Sequence, residues 1–230
     1  MTGNAPTRHW TRVVVAVDGP AGSGKSSVSR AAATALGFGF LDTGAAYRAL
    51  TWLALDRGVD LSDAAAVTAL LDDFDLLLST HPQHTTVAVA DADVTAAIRE
   101  PRVGAAVSAV ARIAEIRSRL NDRFRDLLDA PGEPGVIAEG RDITTVVAPD
   151  ASVRVLLTAD EAVRTARRAR ELSGVSAEDV ARLVSERDRK DLQVVDFMTA
   201  ADGVTTLDST HLDFDETVAE LISLVRLAQK

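Results

Sequence analysis

The pattern of apolar and polar positions predicts strands that alternate with helices. Residues 13–17 are valines interrupted by one alanine, an apolar run typical of a strand buried on both faces of a parallel sheet. Residues 25–36 carry apolar side chains at helical intervals and end before Gly37, which favours a left-handed helix cap. Residues 38–41 and 45–57 repeat this strand and helix. The alternation predicts an α/β fold with a doubly wound parallel sheet flanked by helices.

Residues 61–100 interrupt this alternation. A helical piece is followed by apolar runs at 76–78 and 85–90, which flank a turn that contains proline. Two strands joined by a short turn predict an antiparallel hairpin, which does not belong in a parallel sheet. We therefore interpret residues 61–100 as a small α+β lobe inserted between core segments at about 12–60 and 101–230.

The second half of the chain returns to strands and helices. Helical periodicity over residues 103–128 predicts one helix, which the proline and glycine cluster at 131–135 ends. Residues 160–191 contain two charged helices joined by a short segment, and we interpret them as a helical lid. The remaining predicted elements are strands at 136–138, 153–157 and 203–207 and a closing amphipathic helix at 214–227.

Composition favours one folded domain. The chain has 230 residues, of which 47% are hydrophobic and 26% are charged, as in ordinary globular proteins. Residues 1–11 are polar and aperiodic, and we interpret them as a loose tail. Neither a leader pattern nor an apolar run of about 18 residues is present, so we expect a cytoplasmic protein without a membrane partner. We also expect a monomer.

Charge and cysteine content exclude several classes of function. The net charge of −9 argues against a nucleic-acid partner, because such proteins need a basic face to bind phosphates. The absence of cysteine excludes disulfides and thiolate catalysis, and the four histidines show no ligand spacing. An anionic ligand would therefore need cations placed locally.

The strongest chemical signal is a glycine-rich loop between the first predicted strand and helix. It matches G-x-x-x-x-G-K-[ST], and the strand and helix that this motif requires flank it. Backbone N–H groups of such a loop surround phosphate oxygens, Lys25 would reach the β- and γ-phosphates, and the Ser26 hydroxyl would bind Mg²⁺. A turn without function is the alternative, and the flanking elements argue against it. The predicted ATP-binding residues are Gly19, Pro20, Ala21, Gly22, Ser23, Gly24, Lys25, Ser26 and Ser27.

A second polar segment follows the second predicted strand. Thr43 stands at a predicted helix start, with Tyr47 and Arg48 one turn further on. Ligands of open α/β sheets bind outside the carboxyl ends of the strands, where Arg48 would bind a second phosphate. The structural alternative has Thr43 as a helix cap, Tyr47 packed and Arg48 in solvent.

A third polar segment follows the predicted strand at 136–138. Glu139 would orient Mg²⁺ or its water, Arg141 would pair with phosphate, and Asp142 would accept a hydrogen bond from the amino group of a base. A salt-bridged turn is the structural alternative. Both segments are expected at the same edge of the sheet.

Arginines are concentrated in the predicted lid. Arg164, Arg167 and Arg168 share one helix face, and Arg187 and Asp191 lie one turn apart on the next helix. Two arginine-bearing helices suit a lid over bound phosphates. A solvated face neutralised by nearby acids is the alternative, and it is favoured for any one of these arginines alone.

Taken together, these segments resemble the bacterial cytidylate kinases, which are P-loop nucleoside monophosphate kinases. The resemblance spans about residues 13–225 and implies the P-loop NTPase fold, with transfer of the γ-phosphoryl group of ATP to CMP or dCMP. A monophosphate kinase for UMP or AMP and a catalytically weak regulatory nucleotide-binding protein are the alternatives. The matching motifs are the glycine loop, Asp42-Thr43-Gly44-x-x-Tyr47-Arg48, Gly140-Arg141-Asp142 and Arg187-Asp188-x-x-Asp191.

The resemblance also implies roles for individual residues. Thr43, Arg117 and Asp142 would read the cytosine, and no catalytic base is required because the attacking phosphate oxygen is already anionic. Charge on the transferring group would be neutralised by Mg²⁺ and by Lys25, Arg141, Arg164 and Arg168. The implied CMP-binding residues are Thr43, Tyr47, Arg48, Ser108, Arg117, Arg141, Asp142, Arg187 and Asp191.

The chain departs from the family pattern in three places. Val194 stands where the family motif Asp-Ser-x-Arg ends in a nucleotide-contacting arginine. Thr144 replaces the glycine of the motif Gly-Arg-Asp-x-Gly-Thr. The lid between residues 170 and 176 is short.

Overall fold

Strands and helices alternate over most of the chain. The computed structural model describes residues 8–171 and 176–229. In chain order the elements are β1 (Val13–Asp18), α1 (Lys25–Leu36), β2 (Gly39–Asp42), α2 (Thr43–Asp56), α3 (Ala64–Ala69), β3 (Leu76–Leu78), β4 (Val87–Val89), β5 (Ala92–Asp93), α4 (Pro101–Ala111), α5 (Ala114–Asp129), β6 (Gly135–Gly140), β7 (Val153–Thr158), α6 (Glu161–Glu171), α7 (Ala177–Leu192), β8 (Thr205–Asp208) and α8 (Phe214–Ala228).

A parallel sheet forms the centre of the molecule. Its strand order is β2-β6-β1-β7-β8, and every neighbouring pair is parallel. Side chains alternate between the two faces of a strand, so Val14 and Ala16 of β1 pack with α2, α4 and α5, whereas Val15 and Val17 pack with α1 and α8. The predicted doubly wound α/β fold is confirmed.

The predicted antiparallel hairpin is also present, beside the main sheet. β3 pairs with β4 in antiparallel register, with Leu76 opposite Val89. The two-residue strand β5 adds a third strand to this small sheet, and it was not predicted because so short a strand has no period of its own. Within the described residues, no helix combines the length and apolar character needed to cross a membrane.

The single helix predicted over residues 103–128 is wrong. The structure has two helices, α4 and α5, with Arg112 and Ile113 between them. Ile113 has an extended backbone (φ −73°, ψ 116°) and precedes the first residue of α5. Apolar positions continue at helical intervals on both sides of the break, so the pattern contains no signal for it.

Two further boundaries differ from the prediction. Strand β6 continues through Glu139 and Gly140, so these residues belong to the strand rather than to the turn after it. In the segment predicted to be a loose tail, Trp10 Nε1 donates to Asp150 Oδ1 at 2.9 Å, and Thr11 Oγ1 donates to Asp129 Oδ1 at 3.0 Å. The described end of that segment is therefore held against the body.

The space around Gly135 and Gly104 predicts opposite effects when each is replaced by alanine. A Cβ atom at Gly135 would lie 2.4 Å from Cε2 of the buried Phe38, so Gly135→Ala should lower the free energy of unfolding by about 1–3 kcal/mol. A Cβ atom at Gly104, inside α4, would have open space around it. Gly104→Ala should therefore raise the free energy of unfolding by about 0.5–1 kcal/mol. Urea unfolding measures both, and an unchanged stability of Gly135→Ala would contradict this packing.

Candidate functional site

A cleft of about 580 Å³ opens where β1, β2 and β6 end. This volume lies within the range of about 300–1,000 Å³ that is usual for small-molecule sites. The predicted site residues that line it are Ala21, Gly22, Gly24, Lys25, Ser26, Ser27, Thr43, Tyr47, Arg48, Ser108, Arg117, Glu139, Arg141, Asp142, Arg168 and Asp191. Most of the residues predicted from separate parts of the sequence therefore meet in one cleft.

The glycine loop has a backbone that other residues would not allow. Gly22 has a left-handed φ of 77°, and a Cβ atom there would lie 2.5 Å from the carbonyl oxygen of Arg164. A Cβ atom at Gly19 would lie 2.1 Å from the carbonyl oxygen of Leu157. The loop ends at Gly24, which precedes α1 and provides no side-chain cap for its first turn. Gly24, Lys25 and Ser26 line the cleft, so the uncapped start of α1 lies beside it, as in anion sites at helix N-termini.

Ser26 and Glu139 form an oxygen-rich pair beside Lys25. Ser26 Oγ donates to Glu139 Oε1 at 2.6 Å, and the Glu139 side chain is buried. Burial raises the pKa of Glu139, and the nearby carboxylate of Asp42 raises it further. Hydroxyl and carboxylate oxygens are the ligands that Mg²⁺ prefers, so this pair fits the ion. Within the described chain, no cluster of three or more acidic or histidine side chains offers a fuller metal cage.

Asp42 connects β2 to the next part of the cleft. Its Oδ1 accepts from the N–H of Ala45, and its Oδ2 accepts from Arg48 Nη2 at 2.8 Å. Burial alone would raise the pKa of Asp42, but Arg48 and the Ala45 N–H lower it below its ordinary value. Asp42 therefore caps α2, and the alternative that Thr43 is the cap is wrong. The Thr43 hydroxyl donates instead to the carbonyl oxygen of Glu139 at 2.8 Å.

In this part of the cleft, two buried polar atoms have no hydrogen-bond partner among the described residues. The Tyr47 hydroxyl and Arg48 Nε form no hydrogen bond with the described residues, and both side chains line the cleft. Tyr47 packs edge-on against Phe124, and burial, aided by the negative charge of Asp142, raises the pKa of its hydroxyl. Buried polar groups are usually satisfied in folded proteins, so these atoms are suited to contacting a bound polar ligand.

The segment after β6 holds Asp142 against a cation. Asp142 accepts a hydrogen bond from Arg117 Nη2. Burial raises the pKa of Asp142, and Arg117 only partly offsets this effect. The pair brings α5 to the floor of the cleft and presents both a donor and an acceptor, which a planar base would require for recognition.

A buried carboxylate that was not predicted anchors this segment. Asp18, the last residue of β1, accepts from the N–H groups of Ile143 and Thr144 at 2.9 and 2.8 Å, and from Thr144 Oγ1 at 2.6 Å. Burial raises the pKa of Asp18, and the hydrogen bonds from Thr144 and Ile143 oppose that rise. Thr144 is the residue that departs from the family glycine, and its hydroxyl takes part in the anchor.

Arg141 lies between the glycine loop and α7. Its Nη1 donates to the carbonyl oxygen of Gly19 at 2.7 Å, and its Nη2 lies 3.1 Å from Asp188 and 3.0 Å from Asp191. The guanidinium also stacks over the ring of Phe197, 4.2 Å from its centroid. Asp191 Oδ1 accepts from Ser108 Oγ at 2.8 Å. Arg141 is thus oriented by both α7 and the loop.

The arginines of α6 have separate positions, although they share one helix face. Arg164 is buried and lies behind the loop, where its Nη1 donates to Asp188 Oδ2 at 2.7 Å and to the Ala21 carbonyl at 2.8 Å. Arg167 donates to Ser209, and of the three only Arg168 lines the cleft. The structure therefore does not bring Arg164 to the cleft.

The other predicted residues that do not line the cleft belong to the glycine loop and to α7. Gly19 and Pro20 form the back of the loop, and the Ser23 hydroxyl is buried without a described partner. The side chain of Arg187 lies outside the described part of the structure. The sequence prediction missed several residues that do line the cleft, namely Arg30, Asp42, Arg99, Arg112 and Lys190.

A parallel sheet whose first strand leads through this loop into a helix defines the P-loop class of nucleotide-binding proteins. Within that class, the sequence model of the family described as cytidylate kinase matches residues 15–227. The chain belongs to the cytidylate kinase family.

Individual relatives agree over nearly the whole chain. A cytidylate kinase of Cutibacterium acnes is 44% identical over 220 residues, covering 93% of this chain and 96% of the relative. A cytidylate kinase of Streptomyces avermitilis is 37% identical and covers 96% of both chains. A solved structure of an uncharacterized protein from Eubacterium ventriosum has a TM-score of 0.52 at 13% identity, covers 94% of this chain and 99% of that chain, and supports the fold alone.

The Asp18 anchor predicts different effects of two neighbouring substitutions. Thr144→Val keeps the shape but removes a hydrogen bond to a buried carboxylate, so the free energy of unfolding should fall by about 1–3 kcal/mol. Thr145 is exposed, so Thr145→Val should change the free energy of unfolding by less than about 0.5 kcal/mol. Equal stabilities of the two variants in urea unfolding would show that the Thr144 hydroxyl contributes nothing.

Proposed function

We propose that this protein transfers the γ-phosphoryl group of ATP to CMP or dCMP, giving ADP and CDP or dCDP. The observation that supports this most is that the glycine loop and the Arg117–Asp142 pair line one cleft. A phosphate-binding loop alone would suit any P-loop protein. A second set of polar groups suited to a base and a monophosphate favours a kinase with a nucleotide acceptor.

ATP would bind with its phosphates on the loop. Lys25 would contact the β- and γ-phosphates, and the first turn of α1 would donate N–H groups to them. Ser26 would be the protein ligand of Mg²⁺, and Glu139, which accepts from Ser26, would orient the hydroxyl or a metal-bound water. An ion held there with ATP would supply positive charge beside the transferring phosphate.

CMP would occupy the other half of the cleft. Arg48 and Arg141 would bind its phosphate, and Thr43, Arg117 and Asp142 would contact the cytosine. The buried Arg48 Nε lacks a described partner, which supports a ligand there. Carboxylates accept hydrogen bonds from ribose hydroxyls, so Asp191 would contact the ribose. The predicted contacts of Ser108, Tyr47 and Arg187 with the nucleotide belong to the same proposal.

The reaction needs little proton transfer. The attacking oxygen belongs to a phosphate that is anionic at neutral pH, so the protein contributes mainly alignment and compensation of charge. Arg168 and Lys25 line the cleft and would supply that compensation. Arg164 would act indirectly in this conformation, because it donates to Ala21 and Asp188 and does not line the cleft. The chain would act as a cytoplasmic monomer without a nucleic-acid partner.

Measuring ADP release with CMP, dCMP, UMP and AMP as acceptors tests the proposal. CMP and dCMP should be phosphorylated far faster than UMP or AMP, because Asp142 and Arg117 suit the amino and carbonyl groups of cytosine. Turnover with UMP or AMP alone would assign another base preference. Calorimetric binding of ATP and CMP at background turnover would instead identify a regulatory nucleotide-binding protein.

Substitutions at Arg141 and Asp142 should separate phosphate binding from base choice. Arg141→Ala should raise KM for CMP and UMP alike by roughly tenfold or more, because a charged hydrogen bond to phosphate is lost. Asp142→Ala should mainly lower kcat/KM for CMP and so reduce the preference for CMP over UMP. The kinetic constants of both variants with both acceptors measure this difference. Equal effects of the two substitutions on CMP and UMP would contradict the assignment.

A further inference from the structure

A second cavity adjoins the cleft and has a basic lining. We call it the basic groove. Ser108, Arg112, Lys190 and Val194 line both cavities, so the groove and the cleft share a wall. The described residues that line the basic groove are Ser108, Arg112, Arg189, Lys190, Gln193 and Val194.

The cations of the basic groove have no acidic partner among the described residues. Among the described residues, Arg112, Arg189 and Lys190 form no ion pair or side-chain hydrogen bond, and no carboxylate lines the groove. The whole chain carries 34 acidic against 25 basic residues. In the neighbouring cleft, Arg117 and Arg141 are each paired with aspartate. Unpaired cations that converge on one cavity of an acidic protein indicate a site for an anion.

Helix ends alone do not account for this arrangement. Arg112 follows the last residue of α4, and Arg189 and Lys190 lie in the last turn of α7. Cations at such positions stabilise a helix by about 0.3–1 kcal/mol each. That effect explains a cation at either helix end, but it does not explain why both ends line the same cavity with no acidic side chain among its described lining residues.

The wall between the two cavities indicates which anion would bind. Ser108 Oγ donates to Asp191 Oδ1 at 2.8 Å on this wall, and Asp191 is the residue proposed above to contact the ribose of the acceptor. The hydroxyl edge of that ribose would therefore face the basic groove. The charge of Asp191 is compensated by Arg141 at 3.0 Å, so the cations of the groove determine the local field.

We propose that the basic groove binds a phosphate group carried on the ribose of the nucleotide in the acceptor site. Its ligands would be nucleoside 3′,5′-bisphosphates, in which the 5′-phosphate occupies the acceptor site and the 3′-phosphate contacts Arg112, Arg189 and Lys190. The inference rests on the proposed function, because the orientation of the ribose follows from the proposed binding of CMP. Such ligands would compete with CMP.

Calorimetry on the full chain with cytidine 3′,5′-bisphosphate and with CMP tests the groove. The bisphosphate should bind at least about tenfold more tightly than CMP, because it adds charge-assisted contacts. Arg189 lines the groove but not the cleft, so Arg189→Glu should remove this advantage and leave CMP affinity and CMP turnover unchanged. Retained CMP turnover also shows that the variant is folded.

Arg182→Glu is the matched control. Arg182 is exposed on the same helix and lies outside both cavities, so the variant makes the same charge change without touching the groove. Its affinity for the bisphosphate should stay within about twofold of wild type, because exposed distant charges are screened. An equal loss of bisphosphate affinity in both variants would contradict phosphate binding in the groove. A wild-type affinity for the bisphosphate no higher than that for CMP would contradict it as well. Failure of CMP itself to bind or turn over would overturn the proposed function instead.

Discussion

The hydrogen bonds of Asp18 are the constraint on which the candidate site depends. This carboxylate ends β1, and the glycine loop starts at the next residue. The same carboxylate holds the backbone of Ile143 and Thr144, directly after Arg141 and Asp142. The glycine loop and the segment that follows β6 are therefore attached to one buried point. Leaving such a group unsatisfied in the protein interior is costly, so the distance between the two halves of the cleft is tightly determined.

A second carboxylate explains how an acidic chain can hold polyanions. Asp188 accepts from the N–H of Ala21 and from Arg164, and it also pairs with Arg141. It thereby connects α7 and α6 to the glycine loop and orients a guanidinium at the edge of the cleft. Acidic residues in this protein position arginines as well as neutralise them. The net charge consequently says little about the local field in the cleft.

The fold and much of the cleft could be predicted because parallel strands bring distant motifs to one edge of a sheet. The glycine loop and the segment at Arg141 are far apart in sequence, yet each follows a strand with a clear apolar pattern. Other features have no such pattern. The break at Arg112 lies inside continuous helical periodicity. Asp18 is a single residue, so periodicity gives no information about its burial or its partners. The burial of Arg164 behind the loop depends on tertiary neighbours, which a helical face does not specify.

In the proposed arrangement, one cleft holds a donor and an acceptor nucleotide at a fixed separation. Calorimetry with a ligand in which adenosine and cytidine are joined by a chain of phosphates tests this most directly, because it must occupy both halves at once. We expect one molecule to bind per chain, about a hundredfold or more tighter than ATP alone, and to be displaced by either ATP or CMP. A ligand that binds no tighter than ATP, or that CMP does not displace, would contradict it.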